Sequence, residues 1–150
     1  MTTDKQITHG EDLASLPLGL LLGRVSAGFR IALLNQCDGT DGDVRLIGLA
    51  MAIKNNPNAS QASYARYLGI DLNTASRLIN RAEDMKLLSR VPSPADKRAF
   101  VLELSEAGHA LAAQGARAIE GIEAAIEDQI GEKTFEEFRR TAEQILRLMS

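Results

Sequence analysis

Two short helical segments separated by a glycine constrain the fold of this chain more than any other feature. The pattern of polar and apolar residues predicts helices over residues 60–68 and 71–87, with Ser60 and Asp71 as N-caps and Gly69 between the helices. Ala65 offers little side chain where the two helices would cross, and Gly69 can adopt the positive φ of a tight turn. The spacing therefore predicts a compact pair of helices of the helix-turn-helix type.

The second of these helices is predicted to have one buried and one polar face. At about 100° per residue, the buried stripe consists of small and aliphatic side chains: Ala75, Leu78, Ile79 and Ala82. The opposite face and its flanks carry hydrogen-bonding side chains: Asn73, Thr74, Ser76, Arg77, Asn80 and Arg81. Because Arg can bridge two acceptors on guanine and Asn can pair with adenine, Arg77 and Asn73 are predicted to read bases in a major groove.

A charged β-hairpin is predicted directly after this helix. Residues 88–91 and 99–104 are short and β-prone, and the stretch between them contains two prolines. The hairpin tip carries Asp96, Lys97 and Arg98. An arginine at such a tip can enter a narrow minor groove while Asp96 holds its guanidinium in place. The alternative is a surface salt bridge worth about 0–1 kcal/mol.

The flanking regions are predicted to be helical: residues 16–35, 41–55, 105–130 and 133–149, with Ser105 as the N-cap of the third. The first of these helices is apolar on most faces, so we expect it to be buried on several sides. Its glycines predict close approach of another helix: Gly19, Gly23 and Gly28. Thr40 and Asp43 are spaced like a capping box at the start of the second helix. Residues 1–12 are expected to be disordered.

The charge is unevenly distributed along the chain. The formal net charge is −3, yet residues 54–100 carry eight basic and four acidic side chains. The remainder carries nine basic and sixteen acidic residues. A cationic middle segment fits a phosphate-facing module. The acidic total instead favours the alternative of a helical dimerisation or protein-interaction module without DNA affinity.

Several classes of protein are disfavoured by the sequence. The longest charge-free run within the most apolar segment has eleven residues, whereas a membrane span needs roughly 20. We predict a cytoplasmic protein, because the start does not have the pattern of a signal peptide and a single Cys37 cannot form an internal disulfide. No metal-ligand set, cofactor motif or catalytic constellation is evident, so we do not expect an enzyme. Cys37 leaves open the alternative of a redox-responsive regulator, against that of a passive thiol at a helix end.

Four stretches of the chain resemble the MarR family of winged helix-turn-helix transcription regulators: residues 64–81 (YARYLGIDLNTASRLINR), 87–90 (LLSR), 96–98 (DKR) and 104–109 (LSEAGH). The resemblance in order and spacing covers about residues 40–112. It implies a mainly α fold with a small β-hairpin wing (α+β), in which long N- and C-terminal helices form a dimer interface. Lys86 stands where the family usually has Gly.

The resemblance also implies how the chain is organised and what it does. Residues 13–150 are expected to form a single domain, with the winged helix-turn-helix lobe at 40–104 and dimerisation helices at 13–36 and 105–150. The implied function is that of a homodimer on a palindromic operator of double-stranded DNA, usually a repressor released by a small ligand or by oxidation. We also expect a dimer because one recognition helix and wing bury too little surface for useful specificity.

The predicted site residues follow from the polar face and from the resemblance. By position, Asn73, Thr74, Ser76 and Arg77 correspond to the family's recognition-helix residues, and Arg98 to its wing arginine. The predicted DNA-binding set is Ser60, Gln61, Asn73, Thr74, Ser76, Arg77, Asn80, Arg81, Lys97 and Arg98, with Asp96 orienting the wing. An effector cavity would lie where the dimer helices meet the DNA-binding lobe, lined by Phe29, Leu33, Ile47 and Met51. These four are equally ordinary core residues, which is the interpretation we favour.

Overall fold

The computed structural model describes residues 13–96 and 99–149. The elements of these residues, in chain order, are a 3-10 helix Leu13–Ser15, α1 Leu18–Leu34, α2 Val44–Asn55, α3 Gln61–Leu68, α4 Leu72–Asp84, β1 Leu88–Pro92, β2 Phe100–Leu104, α5 Glu106–Ile130 and α6 Glu132–Leu148. The two strands pair antiparallel, with Leu88 opposite Leu104 and Pro92 opposite Phe100. The predicted mainly α fold with a β-hairpin wing is confirmed. Residues 1–12, predicted to be disordered, lie outside the described residues.

Three helices begin at the predicted N-caps. The Ser60 hydroxyl accepts a hydrogen bond from the backbone N–H of Ser63 at 3.1 Å. The Asp71 carboxylate accepts one from the N–H of Thr74 at 2.9 Å. The Ser105 hydroxyl accepts one from the N–H of Gly108 at 3.1 Å. Each bond satisfies a backbone donor that has no partner within its own helix.

The predicted start of α2 is wrong by three residues. Its N-cap is Asp43, whose carboxylate accepts from the Arg45 N–H at 3.1 Å, and the helix begins at Val44. Asp41 and Gly42 have φ angles of +47° and +76°. Such left-handed residues cannot continue a right-handed helix, so the chain turns before the helix begins.

Helix α4 ends at Asp84, earlier than the predicted residue 87, because Lys86 adopts a left-handed φ of +58°. The Leu87 N–H donates to the carbonyl of Ala82 at 2.9 Å, which closes the helix in a Schellman-type turn. A lysine in this conformation costs roughly 1–2 kcal/mol. The turn therefore keeps its shape although glycine is absent from the position.

The hydrophobic core is centred on α2, which is buried on several faces: Leu46, Ile47, Leu49, Ala50, Ala52 and Ile53. Helix α5 packs across it. A Cβ atom at Gly115 of α5 would lie 2.2 Å from Ile47 Cγ2. The glycine thus allows the two helix backbones to approach closely. The core extends from α2 through α4 and the hairpin to the first half of α5.

Helix α1 differs from the prediction, since none of its residues is buried in the single chain. A Cβ atom added at Gly19, Gly23 or Gly28 would meet nothing within 4 Å, so the predicted close approach of another helix does not occur within the described chain. Four of its large apolar side chains are instead exposed: Leu18, Leu20, Val25 and Ile31. The helix has few neighbours in one chain because it crosses only part of α2 and α5.

Candidate nucleic-acid interface

The interface predicted from the sequence is built on the crossing of α3 and α4. Ala65 is buried at this crossing, and Gly69 takes a φ of +65° in the turn between the helices. The predicted buried stripe of α4 is confirmed: Ala75, Leu78, Ile79 and Ala82 are all buried. Because this stripe attaches α4 to the core, the opposite side of the helix is held outward.

The predicted polar residues of α4 differ in how exposed they are. Asn73, Arg77 and Asn80 are exposed, whereas Thr74, Ser76 and Arg81 are half-buried. The Thr74 hydroxyl donates to the Asp71 carboxylate at 2.6 Å. This hydrogen bond, the largest of several causes, lowers the pKa of Asp71. The Thr74 hydroxyl in turn accepts from Arg77 Nη2 at 3.3 Å. A hydrogen-bond network therefore links the N-cap residue Asp71, through Thr74, to Arg77 on the exposed face of α4.

One flank of α4 is joined to the hairpin by Arg90 of β1, a residue that the sequence analysis did not select. Arg90 Nη2 donates to the amide oxygen of Asn80 at 2.6 Å. Arg90 Nη1 pairs with the carboxylate of Glu83. The amide oxygen of Asn80 is consequently occupied, which limits the base contacts that this side chain can make without giving up Arg90.

The other flank is joined to the loop between α1 and α2 by Arg81. Its guanidinium contacts the carboxylates of Asp41 at 2.7 Å and Asp43 at 3.5 Å. Asp43 is also paired with Arg45 at 2.8 Å. The side-chain hydrogen bonds from Arg45, the largest cause, lower the pKa of Asp43, so its carboxylate stays charged at neutral pH.

A cavity of about 350 Å³ lies beside the exposed face of α4, lined by Asp43, Arg45, Thr74, Arg77, Leu78 and Arg81. Three guanidinium groups border it, and one carboxylate faces them. This composition gives the α4 side of the lobe a concentration of positive charge, as phosphate contacts require. Arg45 is a member of this cluster that the sequence analysis did not predict.

The remaining predicted residues lie at the edges of this face. Ser60 is exposed, and its hydroxyl is shared between the N-cap bond and a contact with the Ser63 hydroxyl at 3.0 Å. Gln61 is half-buried. In the hairpin tip, the carbonyl of Asp96 accepts a hydrogen bond from the Ala99 N–H at 2.9 Å. Lys97 and Arg98 lie outside the described residues, so the predicted contact of Arg98 with Asp96 stays a prediction.

The four residues predicted to line an effector cavity differ in how deeply they are buried. Ile47 is buried, and Leu33 and Met51 pack against the same core from its edge. Phe29 is half-buried on α1. Ile47, Leu33 and Met51 agree with the interpretation as ordinary core residues, whereas Phe29 does not belong to the core cluster of the described residues. The role of the four residues in a cavity stays a prediction.

The environment of Cys37 is that of an unreactive thiol. The residue is 5% exposed. Burial, and secondarily the charge of Asp38, raises the pKa of the thiol, although Arg117 acts in the opposite direction. Because the thiolate is the reactive form, a raised pKa disfavours the redox alternative. The charge of Arg117 acts on Cys37 from α5, which is distant in sequence, so no local sequence signal could have indicated it.

Residues 13–96 and 99–149 contain neither a metal-ligand cluster nor a membrane-spanning helix. No group of three or more His, Cys, Asp or Glu side chains in these ranges could hold a metal ion. The helices described there are also too short or too polar to cross a membrane.

The helix-turn-helix segment matches a known family in sequence. A sequence model of the MarR family matches residues 47–99, from α2 to the end of the hairpin loop. A Thauera aromatica protein, named as a transcriptional regulatory protein for the hcr operon, is 29% identical over 105 residues. That match covers 69% of this chain and 61% of the relative, which is less than two thirds of the relative's length. These matches confirm the MarR-family resemblance found in the sequence.

Solved structures of this family share the fold. The PcaV transcriptional regulator from Streptomyces coelicolor, in complex with its natural ligand, superposes with a TM-score of 0.77 at 18% identity, covering 95% of this chain and 100% of that one. The transcriptional repressor CouR, bound to a 23-mer DNA duplex, gives 0.75 at 21% identity over 94% and 99% of the two chains. A mutant MarR from E. coli complexed with operator DNA gives 0.75 at 18% identity over 90% and 97%.

Proposed function

Because the chain matches the MarR family in both its helix-turn-helix sequence and its fold, we propose that it is a sequence-specific DNA-binding transcription regulator that acts as a homodimer. In this proposal each α4 enters a major groove of an inverted-repeat operator, and each hairpin contacts the adjacent minor groove. The protein acts in the cytoplasm, where it meets its operator.

The observation that carries this proposal is the outward-facing polar side of α4. Helix α4 is fixed to the core by four buried residues, while Asn73 and Arg77 are exposed near its N-terminal half. Base readout requires such a rigid helix with arginine or amide side chains directed away from the protein. Solved structures with this fold include CouR and E. coli MarR, each in complex with DNA. We assign base readout to Arg77 and Asn73, and backbone contacts to the remaining predicted residues except Arg81, whose guanidinium is paired with Asp41 and Asp43.

The exposed apolar faces of the terminal helices support the homodimer. In one chain, α1 exposes Leu20 and Ile31, and α6 exposes Phe138 and Leu146. A second copy that covers these faces would also approach the open glycines of α1. We therefore assign residues 13–36 and 105–150 to dimerisation and residues 40–104 to the DNA-binding lobe within one domain. A two-fold dimer of this kind matches the symmetry of an inverted repeat.

We propose repression with release by a small ligand as the regulatory outcome. CouR is described as a transcriptional repressor, and PcaV was solved with its natural ligand. The place predicted from the sequence for the effector is where the dimerisation helices meet the DNA-binding lobe. Catalysis has no part in this proposal.

Binding selection from random DNA duplexes tests the proposal directly. We expect selection at two salt concentrations to enrich an inverted repeat with half-sites about one helical turn apart. Affinity for it is expected to fall steeply as salt increases, because most contacts are to phosphate. Failure to enrich any sequence would instead support the interaction module without DNA affinity.

Substitution Arg77→Ala is expected to weaken binding to the selected operator by about 1–3 kcal/mol, or roughly 5- to 150-fold. The loss arises because a bidentate contact to one base is removed, so discrimination at that base pair should also relax. Fluorescence anisotropy titrations with the operator and its single-base variants measure both effects. Arg140→Ala, which makes the same charge change at an exposed position on α6, is the control and should bind nearly normally. Equal effects of the two substitutions would contradict the assignment.

A further inference from the structure

Arg81 is engaged by the protein itself rather than directed into solvent. The sequence pattern placed it on the flank of the polar face of α4 and therefore in the DNA-binding set. In the structure, Arg81 Nη2 donates to the Asp41 carboxylate at 2.7 Å and to the Asp41 carbonyl at 3.2 Å. Arg81 Nη1 contacts the Asp43 carboxylate at 3.5 Å. Three oxygen atoms of a single loop thus hold one guanidinium, whose side chain is 39% exposed.

The loop that holds Arg81 is itself anchored. It follows α1 and precedes α2, and both Cys37 and Thr40 within it are buried. Asp43 is fixed further by its N-cap bond and by its ion pair with Arg45, and its side chain is 10% exposed. Asp43 is therefore held by the core, whereas the Asp41 carboxylate is 78% exposed and is placed by the backbone of the anchored loop. Through these two residues the contact connects α4 to the loop.

The two flanks of α4 are held in a comparable way. Arg81 connects one flank to the α1–α2 loop, and Arg90 connects Asn80 and Glu83 on the other flank to β1. Arg77 lies between these two contacts on the exposed face. Whether Arg77 meets a base edge depends on where α4 stands relative to the rest of the lobe, since displacement by about 1 Å is enough to break a hydrogen bond.

We infer that Arg81 is a positioning residue, which holds α4 against the α1–α2 loop through Asp41 and Asp43 and makes no contact with DNA. This inference rests on the proposed function, since it concerns how the same interface is placed. According to this inference, Asp41 and Asp43 increase the affinity of the protein for DNA although both carry a negative charge. The reason is that a carboxylate that orders the reading helix contributes more to binding than its charge subtracts.

The substitution Asp41→Asn separates this role from a direct phosphate contact by the sign of its effect. If Arg81 positions α4, loss of the charge-assisted contact is expected to weaken operator binding about two- to fivefold, although one negative charge has been removed. If Arg81 binds phosphate, the same substitution frees its guanidinium and strengthens binding. Unchanged or tighter operator binding by Asp41→Asn overturns the inference.

A matched control and two readouts complete the test. Asp38→Asn makes the same charge change at an exposed position in the same loop and is expected not to weaken binding. Arg81→Lys keeps the charge but loses the planar fork, so it is expected to weaken operator binding as Asp41→Asn does; normal binding by Arg81→Lys overturns the inference. The salt slope should stay unchanged in Arg81→Ala, whereas a lost phosphate contact reduces it by about 1.

The ratio of operator to random-duplex affinity distinguishes positioning from general destabilisation. Positioning predicts that Asp41→Asn lowers this ratio while the thermal unfolding midpoint stays close to that of Asp38→Asn. A fall in the midpoint with an unchanged ratio overturns the inference. If the wild-type protein binds no duplex, the proposed function fails; if it binds an operator that Asp41→Asn binds equally well, only the role of Arg81 fails.

Discussion

Substitution Phe138→Asp is expected to convert the proposed dimer into a monomer and to abolish operator binding. Phe138 is 48% exposed in the single chain and shares the apolar side of α6 with Phe135, Ala142 and Ile145. A two-fold interface contains each position twice, so two carboxylates would be buried without partners. A buried unpaired charge costs about 3–5 kcal/mol, which raises the dimer dissociation constant about a hundredfold or more. A monomer with one recognition helix then lacks the contact area needed for specificity.

Sedimentation velocity at micromolar concentration and an operator titration measure the two consequences of this substitution. Gln144→Asp is the matched control, because it makes the same charge change on the polar side of the same helix. The control is expected to remain dimeric and to bind DNA. A dimeric Phe138→Asp protein would show that α6 does not form the interface by this side.

Substitution Gly108→Ala is expected to lower the free energy of unfolding by about 3 kcal/mol. A Cβ atom at Gly108 would lie 2.0 Å from the carbonyl oxygen of Leu87 and 3.1 Å from its carbonyl carbon. These are backbone atoms of the residue directly before β1, and the Leu87 carbonyl already accepts from the Ser105 N–H at 3.0 Å. Neither α5 nor the hairpin can therefore move without breaking this junction.

Urea denaturation at one fixed protein concentration measures the effect of Gly108→Ala, because the midpoint of an oligomer depends on concentration. Gly121→Ala on the same helix is the control. A Cβ atom at Gly121 would meet nothing within 4 Å, so the gain in helix propensity should stabilise the protein by up to about 1 kcal/mol. Similar midpoints for the two variants would contradict the proposed clash.

Local signals in the sequence were sufficient for most helix starts and for the buried stripe of α4. Ser60, Asp71 and Ser105 are N-caps as predicted, because a cap bond joins residues only three positions apart. The capping prediction failed at Thr40, where the left-handed conformations of Asp41 and Gly42 turn the chain before α2 begins. The turn belongs to a loop that packs on the core through Cys37 and Thr40. The capping-box pattern compares only two residues three positions apart, so it could not predict this packing.

The sequence by itself determined the order of the helices, the hairpin and the orientation of α4, because hydrophobic periodicity records which side of an element meets the core. Only the tertiary structure decided which polar side chains of α4 remain available for contacts with DNA. Asn80 is bound by Arg90, ten residues away, and Arg81 by Asp41, forty residues away. The tertiary structure also decided that α1 has no buried residue in the single chain. Ion pairs and helix contacts depend on which distant segments packing brings together, and a periodic pattern of single residues carries no record of those partners.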